Sequence, residues 1–277
     1  MQASDMQVIG VCRFSYPAIG GFKIEHETTE EREAFLYAPE RLEERFRTFE
    51  SFTLPALQAQ SDPDFTFLVV IGQRMPPDAE ARLRALLADM PQAVIQARPP
   101  ERHRTAMFKA IEAVREDRGV PSLQFRMDDD DAVSVRFVER LRAAADRVRP
   151  LIRQERFVAF DFNHGHVARP GPEGISAQPV VKPVWTPALG MSVKPWARRG
   201  ILNFGHQKLP ELMPVLTLPD PDMFVRGHNT FNGSRQRPGI KPLDLPLLDS
   251  GGEAVFRRAF NIEPDHVRTL WREPLPS

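Results

Sequence analysis

An α/β fold with a mostly parallel central sheet flanked by helices is what this sequence predicts. Two observations in the first 150 residues carry that prediction, and a third bounds it. Short runs rich in β-branched and aromatic residues read as buried strands. Between them lie stretches whose apolar residues recur at helical spacing, and such alternation implies βαβ units with right-handed crossovers. After Pro150 the texture changes: 17 of the 27 prolines fall from there onward.

The elements follow in order. QVIGVCRFSY, from Gln7, is the first strand, and Cys12 within it reads as a small buried hydrophobe. Leu42, Phe46, Phe49 and Phe52 make one apolar stripe on a helix that Pro55 is expected to end or kink. Phe65–Ile71 is the clearest second strand. Asp78 is placed to cap a helix carrying Leu83, Leu86, Leu87 and Met90, which Pro91 stops. Ala93–Ala97 is a short strand, Thr105–Arg118 a helix, and Leu123–Met127 another strand. The proline-rich half is expected to be loops and short strands. In it, Phe157–Asn163 leads into a hairpin turn at HGHVARPG, Val180–Trp185 and Leu189–Lys194 are further strand candidates, and Glu253–Phe260 is a short helix.

Composition bounds the function classes. With 42% hydrophobic and 27% charged residues, disorder, collagen and coiled coil are excluded. Thirty-seven basic against thirty-seven acidic side chains leave no long-range field to recruit nucleic acid or an anionic membrane. One cysteine forbids an internal disulfide. No signal peptide and no apolar run of membrane-spanning length are evident, so a cytoplasmic location is expected. The length fits a single domain over 1–277.

The most informative segment is SLQFRMDDDDAVSVRFVER, from Ser122 to Arg140, where a strand runs into four consecutive carboxylates and then a helix beginning near Ser134. Adjacent negative charges repel by about 1 kcal/mol per close pair even in water, so something must offset them. The N-terminus of the next helix is one candidate. A divalent cation is the other, because Mg²⁺ and Mn²⁺ take hard oxygen ligands and bridge carboxylates to phosphates. If the chain stays extended, Asp128 and Asp130 share one face and Asp129 and Asp131 the other.

A strand ending in an Asp-x-Asp pair after a βα series, followed by an amphipathic helix with Phe137, Leu141 and Val148 inside, resembles nucleotide-sugar glycosyltransferases of the GT-A fold. The resemblance narrows on three segments: RFRTFESFTLPALQAQSDPDFTFLVVI, FRMDDDDAVSVRFVERL and a later RGHN. Together they resemble the bacterial putative rhamnosyltransferase family over roughly residues 8–232, most strongly at the acidic run. It implies a GT-A-like, Rossmann-like single domain. In it residues 1–150 form the nucleotide-sugar-binding half, and the loop- and proline-rich 151–277 pack on them as the acceptor side.

By that resemblance Asp128 lies by the nucleotide ribose and joins Asp130 at a Mn²⁺ or Mg²⁺ ion, while Asp131 supports the site or faces the sugar. Asp129 occupies a variable position. Arg126 shares the face of Asp128 and approaches phosphate, or else pairs with nearby acids; Arg13 ends the first strand where the nucleotide pocket begins, or forms a surface ion pair. His228 in RGHN is a candidate metal ligand against the plainer reading of a hydrogen-bonded structural histidine, with Asn229 and Asn232 shaping its loop. His164 and His166 read as part of a solvated turn, and Arg102, Arg104 and Lys109 as a solvated helix face. The implied reaction moves a sugar, rhamnose by the family name, from a nucleotide diphosphosugar (dTDP-rhamnose first) to a hydroxyl acceptor such as a cell-envelope glycan. Asp161, Asp220 and Asp222 are candidates for the base, with Asp161 and Asp131 named first as catalytic carboxylates. The competing classes are a metal-dependent nucleotidyl or phosphoryl transferase, its P-loop version excluded by the lack of a GxxxxGK[ST] motif, and a non-catalytic nucleotide-sugar-binding module.

Overall fold

The computed structural model describes residues 2–20, 26–185, 187–228 and 244–274. Its first half alternates as expected: β1 (Val8–Arg13), then α1 (Thr29–Leu36), α2 (Pro39–Thr48) and α3 (Leu54–Gln58), then β2 (Thr66–Gly72), α4 (Pro77–Leu86), β3 (Ala93–Arg98), α5 (His103–Val114), β4 (Ser122–Asp128), the two-residue β5 (Ala132–Val133) and α6 (Phe137–Arg147). The second half adds α7 (Arg149–Gln154), β6 (Phe157–Phe162), β7 (His164–Gly171), β8 (Gly174–Val181), β9 (Leu189–Val193), α8 (Leu209–Leu212), β10 (Val215–Leu218), β11 (Phe224–Gly227), α9 (Ser250–Phe260) and α10 (Pro264–Trp271).

Seven strands form the central sheet in the order β10-β6-β9-β4-β1-β2-β3. All neighbours in it are parallel except β9, which runs antiparallel between β4 and β6. Side chains alternate across the sheet, as a pleated strand requires. Val8 and Cys12 of β1 meet Phe49, Phe67 and Phe125 in the core under the α2, α4 and α6 side. Ile9 and Val11 meet Met107 and Ile111 of α5 on the other face. A second sheet, β5-β11-β7-β8, packs through Ala168 and Val225 against Phe256 and Phe260 of α9 and against Phe52 and Ala56. Among the described residues no helix is long and apolar enough to cross a membrane.

Several local expectations are corrected. Of the two expectations at Pro55, an end or a kink, the end is overturned: the helical run continues past it. The chain passes from α2 to α3 through a wide π turn at Phe49–Thr53, closed by Leu54 N–H donating to Phe49 O, and this turn absorbs the hydrogen bond that proline cannot make. Asp78 is not a cap but a first-turn residue, since the helix starts at Pro77, where a missing N–H costs nothing. The helix after the acidic run begins at Phe137, and α5 spans His103–Val114.

HGHVARPG is strand β7, not a turn; it pairs with β8 through a tight reversal at Gly171 and Gly174, the latter at φ +121°, which only glycine adopts without strain. The proline-rich half holds six strands, β6–β11, among the described residues. Pro210 and Pro264 lie in the first turns of α8 and α10, starting helices instead of breaking them.

Candidate active site

The four aspartates do not stay extended. β4 stops at Asp128, and Asp131 N–H donates to Asp128 O at 3.2 Å, closing a turn that carries the chain from the central sheet into β5 of the second. The assumed alternation of faces is therefore overturned, because a turn rotates successive side chains off the two-residue period of a strand. Carboxylate oxygens of Asp128, Asp130 and Asp131 come within 4.8 Å of one another, while Asp129 turns toward helix α2.

Three elements hold this turn. Thr53, in the π turn, donates its hydroxyl to Asp131 O at 2.8 Å. Gln60 donates to Ser134 O at 2.7 Å and accepts from Val138 N–H at 3.0 Å, fixing the entry to α6. On the open side lies Gly227 at the end of β11. A Cβ there would stand 2.1 Å from Asp130 O, so only glycine lets this strand approach, and its N–H donates to Asp131 Oδ1 at 3.2 Å.

The repulsion expected of four carboxylates is offset by arginines that the acidic run does not reveal. Arg45 Nη1 lies 3.1 Å from Asp129 and 3.2 Å from Asp130, with its side chain only 5% exposed. Arg226 Nη1 lies 3.2 Å from Asp131 Oδ2 and 3.6 Å from Asp128 Oδ2. Arg13 Nη2 donates to Asp128 Oδ1 at 2.6 Å. Sequence reasoning had found Arg13 but neither Arg45 nor Arg226. The signal for Arg45 was present: it falls three residues after Leu42 and four before Phe49, on the inward stripe of its helix.

Electrostatics follow from this packing. Burial acts to raise Asp128, but Arg13 and Arg226 outweigh it and hold the carboxyl well below the usual range. For Asp131, burial prevails over Arg226 and pushes the group upward, with Asp130 and Asp128 adding to the rise; Asp129 is raised by burial against the pull of Arg45. Arg126 differs from Arg13, Arg45 and Arg226. It is nine-tenths buried, its Nε has no hydrogen-bond partner, its Nη1 reaches Phe204 O only at 3.4 Å, and burial pulls it down to about 10.

Two histidines missed in the sequence sit beside it. His103 Nε2 is 3.1 Å from Arg13 Nη1. A guanidinium can only donate, so His103 accepts there as the neutral ring, in keeping with burial lowering it to about 3. His206 Nδ1 donates to Val184 O at 2.6 Å, and burial lowers its pKa too. The basic string reads correctly for Lys109, which is exposed and pairs with Glu101, but its His103 belongs to the site.

The other named residues divide. Asp161 is buried on β6 and accepts from Thr217 Oγ1 at 3.2 Å; burial raises its pKa. It and Arg126 both lie opposite Leu189 of β9, two strands apart, which is about 10 Å. Asp220 pairs with Arg140. Asp222 meets His166 at 2.8 Å, and His166 packs against Phe256 and Phe260, so it is not in a solvated turn. His228 follows Gly227 directly and its N–H donates to Ala168 O at 2.8 Å. It is not one of the close carboxylate group, although its chain neighbour touches Asp130. Asn229 and Asn232 lie outside the described residues.

A group of three carboxylates in contact range offers the hard oxygen donors that Mg²⁺ or Mn²⁺ takes, so the residues present fit such an ion. The sheet and helices make a GT-A-like, Rossmann-type fold, and its acidic turn lies past the carboxyl end of a central strand, where open α/β sheets bind ligands. Fold and site together define a glycosyltransferase architecture. The chain belongs to the family described as "Putative rhamnosyl transferase", whose model matches residues 7–241, and it is a glycosyltransferase on that membership. A search of curated proteins found no match.

Proposed function

We propose that the protein transfers rhamnose from a nucleoside diphosphosugar, dTDP-rhamnose first, to a hydroxyl of a cell-envelope glycan, with Mn²⁺ or Mg²⁺ at the acidic turn. The observation that carries this reading is the meeting of Asp128, Asp130 and Asp131 at the end of β4 beside Arg13, Arg126 and Arg226. Asp130 and Asp128 would hold the ion, with His228, the residue after β11, as a further ligand. When bound, it supplies Lewis-acid stabilisation of the charge that develops on the departing diphosphate.

The chain's own residues do the rest. Arg13 fixes Asp128 beside the nucleotide ribose, and Arg126 turns its guanidinium to a phosphate oxygen. Asp131, fully buried, keeps the turn in shape. In the transfer, the bond from the anomeric carbon to the diphosphate oxygen breaks and its electron pair leaves with the diphosphate. A bond from that carbon to the acceptor oxygen forms, and the acceptor's proton passes to a carboxylate. Asp161 is our choice for that base, since burial raises a carboxyl toward the pH at which it must work. Residues 151–277 form the acceptor side of a single domain, which acts in the cytoplasm.

Incubation with a panel of nucleotide sugars, glycan acceptors and Mn²⁺ tests the reading. Release of nucleoside diphosphate with dTDP-rhamnose, lost in Asp130→Asn and on chelation, is the expected result. Cleavage of nucleoside triphosphates with every sugar nucleotide inert would replace it with phosphoryl transfer.

A further inference from the structure

We propose that Arg226 gates the cation site, so that a divalent ion binds tightly only together with a diphosphate. This inference rests on the metal reading above and adds a residue to it. The Nη1 atom of Arg226 stands 3.2 Å from Asp131 Oδ2 and 3.6 Å from Asp128 Oδ2, two of the three carboxylates that come close enough to share an ion. A Mg²⁺ or Ca²⁺-sized ion needs its oxygens at about 2.0–2.6 Å, which puts it against that nitrogen. Guanidinium and ion therefore compete for one space.

The other charges are arranged differently. Arg13 meets Asp128 through its other oxygen, Oδ1, and Arg45 approaches from α2 between Asp129 and Asp130 Oδ2. Neither bridges Asp128 to Asp131. Arg226 also comes from the second sheet, on the strand whose Gly227 abuts Asp130, so a small displacement of β11 moves the guanidinium relative to the turn. A diphosphate offers Arg226 alternative oxygens of matching geometry, and its arrival frees the carboxylates for the ion.

The test is direct binding of Mn²⁺, read by the loss of free-ion electron paramagnetic resonance signal. Wild type is titrated with Mn²⁺ alone and with Mn²⁺ plus deoxythymidine diphosphate, alongside Arg226→Gln, Arg226→Lys and Arg13→Gln. The gate predicts that Arg226→Gln binds Mn²⁺ alone at least tenfold more tightly than wild type, that Arg226→Lys stays near wild type, and that Arg13→Gln gains less than Arg226→Gln. The nucleotide should tighten Mn²⁺ at least tenfold in wild type and far less in Arg226→Gln. Equal gains in Arg13→Gln and Arg226→Gln would reduce the effect to net charge and overturn the gate. So would tight binding by wild type alone, which leaves the metal reading standing. No binding by any form, with or without nucleotide, would end both. If Arg226→Gln does not fold, absence of nucleotide synergy in wild type still overturns the proposal.

Discussion

Arg126 carries a tension between stability and binding within one side chain. It is buried without a carboxylate in ion-pair range among the described residues, and a buried charge in that state costs several kcal/mol unless something pairs with it. Arg45 and Arg226 show the contrast: their side chains are 5% and 14% exposed, yet their acids hold their pKa values above that of an ordinary arginine, while Arg126 is pulled down. Arg126→Met keeps most of the side-chain volume and removes the charge. The free protein should become more stable by roughly 1–3 kcal/mol, raising the midpoint of thermal unfolding, while donor affinity falls at least tenfold. A variant that loses stability and keeps its donor KM would show that Arg126 serves the fold and meets no phosphate.

At the scale of elements, what could be read depended on whether one segment's pattern decided its fate. β1, β2 and β4 are buried on both faces and short, so their apolar runs stood out; the Leu42–Phe52 stripe did too, though the π turn at Phe49–Thr53 that carries it past Pro55 was beyond local pattern. The second sheet was poorly legible. β11 is four residues long, and it is a strand because β5 and β7 pair with it, a long-range fact that no window contains. The same limit hid Arg226, whose partners lie about 95 residues away. Asp128 and Asp130 stood out as candidates because a strand end followed by acids is a local signal, and Arg13 because it ends the first strand. Gly227 lets β11 pass directly against the backbone of Asp130. Gly227→Ala should therefore push β11 off the acidic turn, costing about 1–3 kcal/mol as overpacking does, and should lower donor turnover of the folded fraction. Unfolding and kinetics measured together check it; an alanine variant of wild-type stability and rate would mean that β11 shifts without consequence.

For the whole molecule, the acidic turn is a joint. It leaves the central sheet at Asp128 and enters the second sheet at Ala132, and its open side is closed by Arg226 and Gly227, which lie about 95 residues further along the chain. A donor bound there cannot be a ligand of the first half alone, because the guanidinium facing Asp128 and Asp131 belongs to the second. Binding stabilises what it touches: at a ligand concentration 100 times Kd the gain is about 2.7 kcal/mol, expressed as slower opening of the segments that form the site. Amide hydrogen exchange with and without Mn²⁺ and nucleoside diphosphate should show added protection in β4, the acidic turn and β11, and in β7, which pairs with β11 along Phe224–Gly227. The edge strand β3 should change little. Protection confined to residues before 150, with β11 and β7 exchanging as in the free protein, would mean that the proline-rich half takes no part in holding the donor, and would return Arg226 and His228 to a structural role.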